Sequence, residues 1–249
     1  MGLHPSRCIA TALGCVPSPF VTDSSSTSPS NSPSNTGQPD DTALRVRAGT
    51  AVRNLAHALV GHQADEATLV EVAERLELLT ARLSEGGRRQ RPSHNFQRGA
   101  DWSPPGEGGE FTTTHFDRPV SGSSSPYGLD PDIRREGDEV VATVTLRAAH
   151  EGAPNRSHGG IVAALFDDIF GFVLTLTQSP GFTGELGIRY EAGTPLHVPL
   201  TCRVRLAEQK GRKLFMTGEL TAPDGTVCVR ATATFITIDP DKIAWGEGV

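Results

Sequence analysis

The residues best suited to chemistry in this sequence begin with Ser157-His158-Gly159-Gly160, directly before an apolar run of helical length. Two glycines let a ligand approach the backbone, and the first-turn N–H groups of a helix have no partner within the helix. The positive end of the helix dipole lies behind them, so they suit a developing oxyanion. Tight packing of helix against strand explains such glycines equally well. Further along the same run stand Asp167 and Asp168, flanked by Leu165-Phe166 and Ile169-Phe170. A carboxylate among such neighbours needs water, a partner or a ligand. Adjacent helix positions diverge by about 100°, so the two cannot both face one sheet. One is a candidate site carboxylate; the other is expected to cap, pair or sit at a subunit edge. Thr183, followed by Glu185, Leu186, Arg189 and Tyr190, is the third feature. A strand threonine alone is ordinarily structural.

The flanking sequence supplies elements to position these groups. Val140, Ala142, Val144 and Leu146 alternate with Val141, Thr143, Thr145 and Arg147, which predicts a strand. A Gly/Pro/Asn loop over Glu151 to Ser157 leads to the long helix from Gly160. Four strand-like segments follow: Thr183 to Glu191, Leu200 to Ala207, Lys213 to Thr221 and Thr226 to Ile238. In the first, Leu186, Ile188 and Tyr190 share a face. The turns Gln209-Lys210-Gly211-Arg212 and Pro223-Asp224-Gly225 have suitable turn chemistry. A helix that is apolar on most faces must be buried, and the antiparallel meander is the surface large enough to wrap it. The fold class expected is α+β.

The first half reads differently. Residues 1–41 form a Ser/Pro-rich tail with seven serines between Ser24 and Ser34, too poor in apolar residues to offset its ordering entropy. Its start, Arg7 followed by Cys8 to Val16, faintly resembles a signal peptide, and Met1-Gly2 with Ser6 matches a loose myristoylation pattern. The apolar stretch is short and lacks a clean cleavage site, so a disordered tail is the reading preferred. Residues 42–85 predict a helical hairpin, with Leu44, Ala48, Val52, Leu55 and Leu59 on one face of its first helix. Asp65 caps the second helix, whose Leu69, Val72, Leu76, Leu79 and Leu83 form a 3-4-3-4 seam. Residues 86–128 read as an extended Gly/Pro/Ser-rich arm, residues 129–238 as the folded domain and residues 239–249 as a C-terminal tail.

Composition narrows the classes. A net charge of −6 and a pI near 5.7 argue against a nucleic-acid-binding protein. Asp167 and Asp168 at the centre of the most apolar helix argue against a membrane span. Four cysteines without a C-x-x-C pair fit neither a zinc finger nor a redox motif, and a reducing cytoplasm is the simplest compartment. His150 and His197 lack metal-ligand spacing, so no metal is expected. Cys202 reads as a small core residue, and Lys210, Arg212 and Lys213 as a solvated turn. No G-x-S-x-G elbow is present.

Taken together, His158-Gly159-Gly160, Asp167 on the same helix and the T-x-x-L-x-x-x-Y strand of Thr183, Leu186 and Tyr190 resemble the hotdog-fold acyl-CoA thioesterases. The PaaI-type, or phenylacetyl-CoA thioesterase-like, branch is the most similar. The resemblance spans Leu129 to Ile238 and implies the hotdog fold, a curved antiparallel sheet wrapped round one long helix. It also implies a homodimer or a dimer of dimers, with active sites between subunits. It assigns the oxyanion donor to the backbone N–H of Gly159 and the general base or nucleophile to Asp167. Thr183 then helps hold the water or the acid, and His158 orients the turn. Gly160 and Asp168 are candidates for substrate binding. The substrate implied is an acyl-CoA or acyl-carrier-protein thioester; no cofactor is expected, because coenzyme A belongs to the substrate. Three positions depart from the family pattern: Gly152 replaces a common Asn, Gly193 replaces a Pro, and Asp168 stands where Glu or another residue is common. The rival readings are a non-catalytic acyl-thioester-binding hotdog protein and a hotdog dehydratase or hydratase.

Overall fold

The apolar run folds as α3 (Gly159–Leu176), which buries Leu165, Phe166, Ile169, Phe170 and Val173 among others. Each large apolar side chain of this kind contributes about 1.5–3 kcal/mol on leaving water, which makes α3 the centre of the core. Around it lies one six-stranded sheet built from β1 (Asp132–Glu136), β2 (Glu139–Thr145), β3 (Gly181–Tyr190), β4 (Pro199–Lys210), β5 (Lys213–Thr221) and β6 (Val227–Thr237). The spatial order is β1-β2-β4-β5-β6-β3, with every neighbouring pair antiparallel. The face toward α3 carries Val140, Ala142 and Val144 from β2, and Leu200, Cys202 and Val204 from β4. Leu214, Met216 and Leu220 of β5 and Val229, Ala231, Ala233 and Phe235 of β6 complete it. The alternation read from the sequence is thus the alternation that packs, and the fold is the expected α+β hotdog arrangement. β1 is an addition: its sequence, Asp-Ile-Arg-Arg-Glu, offers one apolar residue, and only Ile133 is buried. Pairing with β2, rather than its own pattern, makes it a strand.

The computed structural model describes residues 41–89, 103–111 and 116–239. The Ser/Pro tail apart from Asp41, residues 90–102 and 112–115 of the arm, and the C-terminal tail apart from Asp239 lie outside the described residues. Upstream of the sheet stand two helices, α1 (Thr42–Gly61) and α2 (Glu66–Ser84). Asp65 caps α2 as expected, its carboxylate accepting the Thr68 N–H at 2.8 Å.

The apolar stripes of these helices do not pack as the sequence suggests. Helix α1 buries Gly49, Arg53 and His57, while Leu44, Val52 and Leu59 of the expected face are exposed. α2 buries nothing. The docked face of α1 is chosen by polar contacts. Arg53 donates to the carbonyls of Ser123 at 2.8 Å and Ser125 at 2.6 Å. Gly49 packs so closely on the arm that a Cβ would lie 2.1 Å from the Ser124 carbonyl oxygen. His57 Nδ1 accepts the Ala149 N–H at 3.0 Å, and its ring meets His150 edge-on at 4.6 Å between centroids. His150 belongs to the 3₁₀ turn Ala148–His150, just ahead of the loop into α3.

Candidate active site

The loop before α3 is pinned by backbone hydrogen bonds. The Ser157 N–H donates to Thr194, and the His158 N–H to His150. His158 then caps the helix: its Nδ1 accepts the Gly160 N–H at 3.0 Å. The N–H groups of Ile161 and Val162 donate to the His158 carbonyl. Of the first-turn donors, the Gly159 N–H is the one with no acceptor among the described residues. Gly159 also lines an open cleft of about 450 Å³, together with Arg156, Ser157, Val162, Tyr190 and Thr194. The residue that carries the free, dipole-backed donor thus borders space that a ligand can occupy. Gly160, expected at the substrate, has its N–H committed to the cap and does not line this cleft.

Close packing accounts for one of the departures from the family pattern. At Gly152 a Cβ would fall 2.7 Å from the His158 Cα, so the loop crosses the motif histidine only without a side chain. At Gly193 a Cβ would fall 2.7 Å from Cδ and Nε of Arg156, the outer part of an exposed side chain that can swing away, so packing does not require glycine there.

Further along α3 the two aspartates separate as their angular offset requires. Asp167 is exposed, and its Oδ1 accepts the Thr183 hydroxyl at 2.9 Å. A bulge brings Thr183 there: Thr183 pairs with Phe235 and Glu185 with Thr234, so Gly184 is extra. The bulge reverses the side-chain parity. Thr183 therefore shares the helix-facing side of β3 with Leu186, Ile188 and Tyr190, which oppose Ala233, Ala231 and Val229. Asp168 points elsewhere. Its Oδ1 accepts from Arg118 Nε at 3.1 Å and Nη2 at 2.8 Å, its side chain is only 10% exposed, and its Oδ2 is buried without a partner among the described residues. The Arg118 guanidinium also lies over the Phe172 ring, 4.8 Å from its centroid. No sequence signal identifies Arg118, because it reaches Asp168 across 50 residues.

At the other end of β3, the Tyr190 hydroxyl donates to the Gly159 carbonyl at 2.7 Å. Gly159 and Asp167 are eight helical steps apart, about 12 Å along the axis at 1.5 Å per residue. Within one chain they cannot act on the same carbonyl carbon. Among the described residues, no group of three or more His, Cys, Asp or Glu side chains is placed to hold a metal ion. The described helix long and apolar enough to cross a bilayer is α3, which the sheet wraps.

The segment that carries these groups matches known proteins. The family model described as the thioesterase superfamily covers residues 155–229. Acyl-coenzyme A thioesterase THEM4 of Mus musculus is 32% identical over 93 residues, 37% of this chain and 40% of that protein. The Bos taurus protein of the same name is 31% identical over 124 residues, 49% of this chain and 51% of its own length. The chain therefore spans about half or less of these curated relatives. A crystal structure of a thioesterase superfamily protein superposes with a TM-score of 0.63 at 30% identity, covering 77% of this chain and 94% of its own. That coverage exceeds the sheet and α3, so the likeness extends into the segments that precede them.

Proposed function

The chain belongs to the thioesterase superfamily, and from that premise we propose that it hydrolyses an acyl-CoA, or an acyl-carrier-protein thioester, to a carboxylic acid and a free thiol. The observation that carries the reading is the Gly159 N–H at the N-terminus of α3, which has no acceptor among the described residues and belongs to a residue lining a cleft of about 450 Å³. A thioester carbonyl oxygen placed there accepts that hydrogen bond, and the bond strengthens as negative charge builds on the oxygen. Asp167 supplies the second function. The Thr183 hydroxyl occupies one of its oxygens, leaving the other to take a proton from water or to attack the carbonyl carbon. In the first route, water adds to the carbonyl and Asp167 takes its proton. The tetrahedral intermediate then expels the thiolate, which leaves as the thiol once protonated. In the second, the carboxylate displaces the thiolate, and water hydrolyses the resulting anhydride. Neither route calls on a metal or a resident cofactor.

The separation of about 12 Å between donor and acid supports a site shared by two copies, with Gly159 from one and Asp167–Thr183 from the other. β3 is an edge strand with Phe182, Thr183 and Tyr190 exposed, a surface suited to pairing in a homodimer or a dimer of dimers. The dehydratase reading is disfavoured at His158. With Nδ1 accepting the Gly160 N–H, a neutral ring carries its proton on Nε2 and has no free nitrogen to act as base. The cytoplasm is the compartment that goes with this reading, on cysteine usage alone. Thiol release from a panel of acyl-CoA and acyl-carrier substrates tests the proposal. Asp167→Asn should lower kcat by about 100- to 10,000-fold. Equal turnover by the variant would remove Asp167 from its role, and wild-type protein inert toward every thioester would remove the activity.

A further inference from the structure

We infer that Tyr190 is a positioning residue for the oxyanion donor: its hydroxyl clamps the Gly159-Gly160 turn and thereby fixes the direction of the free Gly159 N–H. The inference rests on the hydrolase reading for its catalytic consequence, but the clamp itself stands on contacts alone.

Consecutive glycines at a helix start leave the backbone more conformational freedom than any other pair. A hydrogen-bond donor that must meet developing charge loses effect when its direction wanders. The His158 cap holds one side of this turn through the Gly160 N–H. Tyr190 holds the other end of the same peptide group, donating at 2.7 Å to the Gly159 carbonyl, so the Gly159 N–H, separated from it by one residue's φ and ψ, is constrained through the peptide that follows it. The fit is tight: a Cβ on Gly159 would lie 2.9 Å from the phenolic oxygen and 3.0 Å from Cζ. The glycine therefore serves two ends, bordering the cleft and admitting the phenol behind it.

The same strand places Thr183 on Asp167. After the bulge at Gly184, both side chains face α3 from β3. Strand and helix run past one another so that Thr183 meets the acid and Tyr190 the donor. β3 is thus the rail that holds both reactive groups of α3. Since about half of Tyr190 remains exposed, with the ring in the cleft wall, removing its hydroxyl leaves the core untouched.

The experiment is Tyr190→Phe in the full chain, read in two ways. In hydrogen exchange, the peptide covering 158–166 should exchange faster than in wild type, while β4, β5 and β6 keep their rates. In steady-state hydrolysis of acyl-CoA, kcat should fall about 3- to 10-fold, the size expected for one ordinary hydrogen bond, with KM within twofold of wild type. Tyr190→Ala, which also removes the cleft wall, should add a rise in KM. Unchanged exchange in Tyr190→Phe overturns the clamp whatever the activity does. Faster exchange with unchanged kcat overturns the positioning role, and a rise in KM without a fall in kcat makes Tyr190 a substrate contact instead. If wild type hydrolyses nothing, the hydrolase reading fails, and the exchange result alone decides whether the clamp exists.

Discussion

Helix α3 enters the protein by its apolar side chains, whereas α1 docks by Gly49, Arg53 and His57 and leaves Leu44, Val52 and Leu59 in solvent. Both helices are regular and both carry an apolar stripe in the sequence. They differ in what waits for them. The sheet offers α3 a concave apolar face, where burial needs no particular geometry beyond volume. The arm and the 3₁₀ turn offer α1 a row of backbone groups: the carbonyls of Ser123 and Ser125 and the N–H of Ala149. Such a row selects a side chain with the matching donors or acceptors, and a stripe of leucines has none. Apolar periodicity therefore locates a helix that meets a core, and misleads for a helix that meets backbone.

The largest effect expected from this contrast lies on α3. Phe166 is fully buried, its ring tilted against that of Phe170 at 5.9 Å between centroids, and it approaches Gly218 of β5. Phe166→Ala should destabilise the protein by about 3–5 kcal/mol, the usual range for an emptied aromatic site. Urea denaturation followed by circular dichroism measures it. A loss below 1 kcal/mol would mean that α3 is not the centre of the core and would dissolve the comparison.

How far the sequence was legible follows the same division. The alternation in β2, β4, β5 and β6 and the apolar run of α3 could be read directly, because each states one relation: which side faces inward. His158, Gly159, Asp167 and Thr183 were legible as a constellation, and the structure puts Asp167 and Thr183 in hydrogen-bond contact. What escaped depends on distant partners. Arg118 meets Asp168 and Arg53 meets the arm across separations of 50 to 72 residues. Nothing near either arginine distinguishes it from a solvated one. β1 escaped because β2 supplies its reason for being a strand. The bulge that turns Thr183 toward α3 escaped because Gly184 reads equally well as an ordinary strand residue.

A pH titration sharpens the polar half of the comparison. His57 Nδ1 accepts the Ala149 N–H, and His150 Nδ1 accepts the Arg147 N–H, so each docked ring is neutral with its proton on Nε2. Burial, reinforced by nearby positive groups, lowers both pKa values, that of His150 to about 4. In the unfolded chain these rings take up a proton near pH 6.5. The unfolded state therefore binds more protons in the interval between, and stability falls as pH falls. Docking of α1 should be complete above pH 6.5 and weaken progressively toward pH 4. Hydrogen exchange of α1 reads this against α3, whose buried face carries no titrating histidine. Equal loss of protection in α1 and α3 would show that acid acts on the whole fold rather than on the histidine contact.

The smallest effect belongs to the stripe that the sequence made prominent. Leu79 of α2 is 49% exposed, and its neighbours in the seam, Leu69, Leu76 and Leu83, are also exposed. Leu79→Ser should change folding stability by no more than about 0.5 kcal/mol, as for surface positions in general. The same change at a buried leucine such as Leu165 removes a fully covered side chain and leaves an unpartnered hydroxyl in its place. The 3-4-3-4 spacing nevertheless matches the seam of a helix lying along another helix, so stability alone does not exhaust the question. Measured by sedimentation at two concentrations, Leu79→Ser should assemble as wild type does. If the variant instead loses a subunit contact, the seam packs in the assembly, and α2 joins α3 as a helix placed by apolar burial, leaving α1 as the exception.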